Sequence, residues 1–565
     1  MKTPALEFSR TLTPFQARRL ALYRFDVVVL GTGAAGATAA LAAARSGRTV
    51  ALIAKDQPSE TNTNYAQGGV AAVLGPEDSL ESHRADTLAL GCGLCEPEVV
   101  ERVVNGGPVA IERLRALGAE FDADSRGRLD LSREGGHSHA RIVHSHGAAT
   151  GLEIQRTLSR AVASNPEIAV FEKCFAVDLL TAQQSGGSSI TGVLCQTQRG
   201  ELVVFGASQV ILATGGGGQL YRETTNPTIA TGDGVAMAFR AGARVRDLEF
   251  FQFHPTCLYI AGAARVLISE IVRGEGGVLR DKRGVRFMPE YHKSAELAPR
   301  DVVSRACFDR MVRTGDTNVY LDLSQLDRDP HQLFPGISRI CRYFKIDIAK
   351  DPIPVRPGAH YMIGGVRVDL DGRTDIEGLW AVGECASTGL HGANRMGSNS
   401  LLEGLVLGEV AGRQAAGEVC RDRSSPAESE LAPARAAMPA DVRLSIEDLT
   451  YSLKSLMWRQ MGIERTEGAI QDALTKLEFW TRAVSGLGSG DTKSWELVNM
   501  LTLARLASES ALCRTESRGT HFRADHPLQD PLWRAHTNLR AAFDGDTIRG
   551  LIHERETVRD SALVG

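Results

Sequence analysis

The sequence lacks any apolar run approaching the roughly 18 residues needed to span a bilayer. Residues 1–24 (MKTPALEFSRTLTPFQARRLALYR) also lack the continuous apolar core of a secretory signal. The expectation is a cytoplasmic protein with no membrane partner, in which residues 1–24 form a frayed N-terminal extension. There is no surplus of positive charge either: 64 Lys and Arg stand against 68 Asp and Glu, for a net charge of -4. That excludes a field able to gather nucleic acid, though not a locally cationic pocket for a small anion. The ten cysteines are scattered, and their one close pair, Cys92 and Cys95, has no second CxxC to complete a zinc site. Reduced thiols and no metal are expected. Internal repeats are absent as well.

What is present is length and glycine. A chain of 565 residues exceeds one hydrophobic core and suggests about three units. Its 58 glycines exceed the background of roughly 7%, which suits a protein that wraps backbone around phosphates. Phe25-Asp26-Val27-Val28-Val29-Leu30 reads as a buried parallel strand, Ala37 to Arg45 as a helix, and Thr49-Val50-Ala51-Leu52-Ile53 as a second strand. Further apolar strands, Val210 to Ala213 and Gly378 to Val382, run into Thr214 with Gly215–Gly218 and into Gly383-Glu384. Strands of this kind so far apart imply one sheet interrupted by an insertion.

Between the first strand and helix lies Gly31-Thr32-Gly33-Ala34-Ala35-Gly36. In such a loop the first glycine makes the tight turn, the second lets backbone approach a pyrophosphate, and the third lets helix and strand pack closely. The positive helix end then faces the phosphates. The acidic residue expected about 20 residues on is missing, since Ala54 and Lys55 stand there and Asp56 comes late. That turns the reading from NAD toward FAD.

The stretches Tyr65-Ala66-Gln67-Gly68-Gly69, Ala213-Thr214-Gly215-Gly216, Gln252-Phe253-His254-Pro255-Thr256, Arg273-Gly274-Glu275-Gly276 and His391 to Leu401 (HGANRMGSNSL), in that order, are highly specific. From about Phe25 to Phe522 the chain resembles the flavoprotein family of succinate dehydrogenases, fumarate reductases and L-aspartate oxidases. The resemblance implies an α/β fold: an FAD-binding Rossmann-like domain with an inserted α+β capping domain and a C-terminal helical domain. The boundaries expected are 1–24 for the extension, 25–245 and 352–425 for the two parts of the FAD-binding domain, 246–351 for the cap, and 440–565 for the helical domain. A Ser, Pro, Ala and charge-rich stretch at 421–441 reads as the linker.

Two features imply the aspartate-oxidising branch rather than the alternative, a soluble fumarate reductase or succinate dehydrogenase flavoprotein. Membrane-complex members tether FAD covalently through a His whose matching position is Asn62, so FAD is expected without a covalent link. The stretch Arg133-Glu134-Gly135-Gly136-His137-Ser138-His139-Ala140-Arg141-Ile142 looks like the aspartate oxidase signature. His137, His139, His144 and His146 are close enough to suggest a metal site, but they coincide with this signature and lack a Cys or carboxylate cluster at ligand spacing.

By resemblance, His254 and Ser269 (where the family usually has Thr) hold one substrate carboxylate, and His360 with Arg395 the other, so that four cationic groups, Arg300 included, converge. Glu134 partners the substrate ammonium, which a dicarboxylate lacks. Arg300 resembles the family's proton-donating arginine and implies a relay with Glu270. FAD is assigned to Gly31, Thr32, Gly33, Ala34, Ala35, Gly36, Lys55, Asn62, Thr63, Asn64, Tyr65, Ala66, Gln67, Gly68, Gly69, Asp233, Glu384, Ser400 and Leu401. The implied reaction takes L-aspartate to 2-iminosuccinate, with oxygen (giving hydrogen peroxide) or fumarate as acceptor. It feeds de novo NAD formation through quinolinate, with quinolinate synthase as a functional partner.

Overall fold

The computed structural model describes residues 8–184, 187–260, 265–420, 445–485 and 490–558. The expected linker at 421–441 lies outside the described residues. A five-stranded parallel sheet runs in the order Leu379–Ala381, Gln209–Leu212, Val27–Leu30, Val50–Ile53, Ile168–Phe171. Val27 to Leu30 and Val50 to Ile53 are buried throughout, because both sheet faces are covered and no polar side chain could be satisfied there. The dispersed apolar strands therefore do assemble into one sheet.

Eight of the twelve residues of helix Ala34–Arg45 are alanine, and it packs against helix Asn399–Gly417. Gly408 and Gly412 face it so closely that a Cβ there would stand 2.6 Å from Ala35 O and 2.2 Å from Ala39 O. Small residues on both helices thus allow backbone-to-backbone approach, and the Asn399 helix begins beyond the start of the Ala34 helix, since Ala35 lies against Gly404 and Gly408.

The inserted cap is a four-stranded antiparallel sheet in the order Phe251–Leu258, Ile353–Met362, Val319–Asp322, Val278–Arg280, with helix Arg300–Thr314 packed on it. It extends past the expected boundary at 351, because Ile353–Met362 is one of its inner strands. Pro354 and Pro357 disguise that strand, since proline is uncommon inside sheets. The N-terminal extension is not frayed where it is described. Ala21–Arg24 pairs in parallel with Val203–Gly206, and Phe15 and Ala17 are buried against Phe175, Val177 and Trp495. After helices Ile446–Gln460, Glu467–Ser485 and Thr492–Cys513 comes a hairpin, Ala535–Asp544 with Thr547–Thr557. This hairpin joins a six-stranded sheet with Phe8–Ser9, Val245–Arg246, Gly365–Arg367 and Ala386–Ser387.

The chain crossing into the cap at 247–250 is gripped by this C-terminal unit, and the return crossing at 362–365 leads into Gly365–Arg367 of the same sheet. Arg514, fully buried, donates to Glu249 Oε1 at 2.6 Å and Glu516 Oε1 at 3.0 Å. Arg465 donates to the Glu249 carbonyl, and His536 bonds Asp247 at 2.5 Å. Removing one partner of a buried pair strands the other charge, at a cost of about 3–5 kcal/mol. Arg514→Ala is therefore expected to lower the thermal unfolding midpoint sharply, as followed by circular dichroism; an unchanged midpoint would show that Glu249 is neutral or rehydrated.

Candidate active site

Gly31 sits at φ 106°, and a Cβ there would lie 2.1 Å from the Ala213 carbonyl, so no other residue fits the turn. The helix that follows has no side-chain N-cap; Ala34 N–H bonds Thr63 Oγ1, and the other first-turn amides are left for an anion. From this loop a single cleft runs toward the cap. It is lined by Thr32, Ala34, Ala35, Lys55, Asn62, Thr63, Tyr65 to Gly69, Asp233, Glu384, Ser400 and Leu401, and at its far end by Glu134, His254, Ser269, Glu270, Arg300, His360 and Arg395. Two residues assigned to the cofactor do not line it. Gly36 packs against Gly31, and Asn64 is held in a turn by Thr61 Oγ1.

The dinucleotide end carries polar atoms in need of a ligand: Asn62 Oδ1 and Thr214 Oγ1 are buried without a partner. Lys55 does not wait for phosphate. It bonds Asp233 Oδ2 at 2.8 Å, Thr231 Oγ1 at 2.7 Å and Glu496 at 2.6 Å, so a C-terminal helix closes this end. Glu384 accepts from Met362 N–H at 3.0 Å and from Asn62 Nδ2 at 2.8 Å, and burial raises its pKa. The Asn62 amide occupies itself with a carboxylate, in keeping with a role other than tethering. Glycine turn, uncapped helix end and orphaned polar atoms together fit FAD.

At the far end, Arg300 opens the cap helix and donates from Nε to Glu270 Oε2 at 2.8 Å. Burial opposes ionisation of Glu270, but Arg300 and Arg273 outweigh it and hold its carboxyl below the usual range. Arg395 comes from the other domain, with its guanidinium 4.6 Å from the centre of the Tyr361 ring and Nη2 2.5 Å from Ser400 Oγ. Burial, reinforced by Arg300, lowers Arg395 to about 10, still protonated at neutral pH. Both arginines donate to one atom, Gln252 Oε1, at 3.3 and 3.2 Å.

The rings of His254 and His360 lie 5.3 Å apart. Burial first, and then the arginines, push both far below the ordinary histidine value. This corrects the expectation of four cationic groups: two are cations and two are neutral imidazoles. Thr256 N–H points at His254 Nδ1 (3.3 Å), which leaves Nε2 as the protonated donor, and His360 Nδ1 pairs with Thr225 Oγ1 at 2.9 Å. Glu134 is buried in the same wall and accepts from Ser398 Oγ at 2.7 Å. Gln252, Tyr361, Thr225, Ser398 and Glu496 were not assigned from sequence; only Gln252 and Ser398 sat in motifs that could have flagged them. Among the described residues, no three His, Cys, Asp or Glu side chains are grouped to hold a metal ion.

An α/β nucleotide domain with a capped, cationic cleft defines an FAD-dependent oxidoreductase. Residues 26–401 match the FAD binding domain family, and 450–556 the fumarate reductase flavoprotein C-terminal family. The chain is 42% identical to an L-aspartate oxidase of Streptomyces coelicolor over 91% of each chain. It is 44% identical to a chloroplastic L-aspartate oxidase of Nicotiana tabacum, over 89% of this chain and 81% of that one. An E. coli quinol fumarate reductase superposes with a TM-score of 0.87 at 33% identity, covering 96% of this chain and 98% of that one. The chain belongs to the L-aspartate oxidase branch of the succinate dehydrogenase and fumarate reductase flavoprotein family.

His254 and His360 have folded-state pKa values below the unfolded value of 6.5. The unfolded chain therefore takes up protons below about pH 6.5 that the folded chain refuses. Their contribution is full above that pH and is lost as pH falls below it, by up to about 1.4 kcal/mol per pH unit for each ring. Urea unfolding from pH 7 to 5 should show a shallower decline for His254→Gln/His360→Gln than for the parent. Parallel declines would mean that the rings titrate normally.

Proposed function

We propose that the protein oxidises L-aspartate to 2-iminosuccinate, and the observation that carries this is the buried Glu134 carboxylate in a cleft otherwise built for carboxylates. His254 and Ser269 take one carboxylate and His360 with Arg395 the other, through charge-assisted and neutral hydrogen bonds. Glu134 faces the ammonium. For a dicarboxylate without the amine, the same buried charge would be repulsive, which disfavours succinate as the preferred substrate. Ser269 lacks the methyl of threonine, so its hydroxyl is held by a looser rotamer.

FAD, held without a covalent link by the glycine loop, the 62–69 segment, Glu384 and the Ser400-Leu401 turn, supplies the hydride acceptor. The protein's part is to bind, orient and manage protons. Arg300 bonds Glu270, whose other oxygen lies 3.4 Å from Arg273 Nη2, so a proton leaving the substrate nitrogen has an ionised carboxylate within one arginine of it. Oxygen, yielding hydrogen peroxide, or fumarate then takes the electrons. The product would enter quinolinate formation and de novo NAD synthesis, next to quinolinate synthase. The site of action in this reading is the cytoplasm; no helix among the described residues is long and apolar enough to cross a membrane.

Anaerobic addition of L-aspartate to the purified protein is expected to bleach the flavin, and air to restore its colour with release of peroxide. Bleaching by succinate but not aspartate would overturn the reading. Glu134→Gln should lower kcat/KM for aspartate on the order of 10- to 100-fold, the worth of one charge-assisted bond, with a much smaller effect on fumarate reduction. Acid precipitation should leave all flavin in the supernatant; flavin pelleting with the protein would mean a covalent link elsewhere than Asn62.

A further inference from the structure

The histidines of the 133–142 signature remain without a role in the chemistry above, yet His137 is buried, and so is His83 on a neighbouring helix. Their rings lie 5.8 Å apart, and both grip the same turn. His137 Nε2 donates to the Gly397 carbonyl at 3.0 Å, and His83 Nε2 bonds Asn399 Oδ1 at 2.9 Å while Asn399 Nδ2 donates to Thr87. A carbonyl can only accept, so the proton of His137 is on Nε2, and burial keeps the ring neutral.

The turn between these grips is a demanding one. Ser398 stands at φ 62°, in the left-handed region that a side chain seldom adopts, and its hydroxyl donates to Glu134 Oε2. At Gly397, a Cβ would lie 2.8 Å from both Glu134 Oε2 and Arg300 Nη2. The turn therefore touches both the group that faces the amine and the group that moves the proton. His137 belongs to the same tight loop as Glu134, its own N–H bonding the Glu134 carbonyl at 3.2 Å.

We propose that His137 is a specificity-determining positioning residue, which locks the Gly397–Asn399 turn to the Glu134 loop and so fixes where the carboxylate meets the substrate amine. This rests on the reading that Glu134 recognises the ammonium. Ligands without an amine gain no contact from Glu134 and are repelled by it, so loosening the lock should not weaken their binding.

The test uses the flavin-loaded enzyme, with KM and kcat for aspartate measured beside the Kd of succinate from flavin difference spectra. His137→Phe keeps the volume but has no donor; it should raise KM for aspartate about tenfold while succinate affinity stays the same or rises. His137→Gln, whose amide can still donate to Gly397, should stay within about threefold of the parent. In a Glu134→Gln background, His137→Phe should add nothing, because the pair acts through one contact. Equal losses for aspartate and succinate, or multiplicative losses in the double variant, would overturn the proposal. Should His137→Phe fail to hold flavin, His83→Phe must show the same aspartate-selective loss, and an equal loss for succinate would again overturn it. A parent enzyme that binds succinate but is not reduced by aspartate would instead overturn the activity itself.

Discussion

Two guanidinium groups from different domains share one amide oxygen in a buried cleft, and much of the remaining architecture is arranged around that fact. Arg300 arrives on the cap and Arg395 on the nucleotide domain, and Gln252 Oε1 is their common acceptor. Like charges brought together away from water repel and lose hydration, which is costly unless opposite charge is close. Glu270 answers Arg300, and the Tyr361 ring face answers Arg395. What these leave uncompensated is what a substrate with two carboxylates provides. Substrate charge therefore helps hold cap and base together, and the cleft is at once binding site and domain interface.

Such an interface requires the cap to enter and leave at a defined angle. The C-terminal unit supplies this: Arg465 and Arg514 on Glu249, and His536 on Asp247, clasp one crossing into the cap, while the hairpin joins the sheet that holds the other. A segment 216 to 289 residues downstream thereby governs the geometry of a site it barely lines. Glu496, bonded to Lys55, and Asn499, which donates to Asp233, reach the cleft directly.

How much of this was legible in the sequence depended on how local the physics is. Gly31 to Gly36 could be read because a tight turn and a close helix approach leave only glycine as a choice. The parallel strands could be read because burial on both faces demands apolar runs. Resemblance carried the site residues, and the cleft does collect all seven assigned to the substrate end. The charge state of His254 and His360 could not be read, since it is set by burial and by arginines distant in sequence. Gln252 and Tyr361 act only through partners that folding brings to them. The cap boundary was hidden by Pro354 and Pro357 in an inner strand, and the order in residues 8–24 by a strand that acquires its partner, Val203–Gly206, about 180 residues away.

The alanine and glycine helix pair has one more consequence. Ala35 faces Gly404 and Gly408, and Ala39 faces Gly412, so the two helices run in the same direction with backbones in contact. Two macrodipoles aligned at that distance repel, and both positive ends open on the cleft. A pyrophosphate at the Ala34 end would offset part of that repulsion, while the Asn399 end opens beside Ser400 and Arg395 at the far end of the cleft. The cofactor is then a structural counterion as well as a reactant, and its loss should loosen the nucleotide domain along the seam where these helices touch.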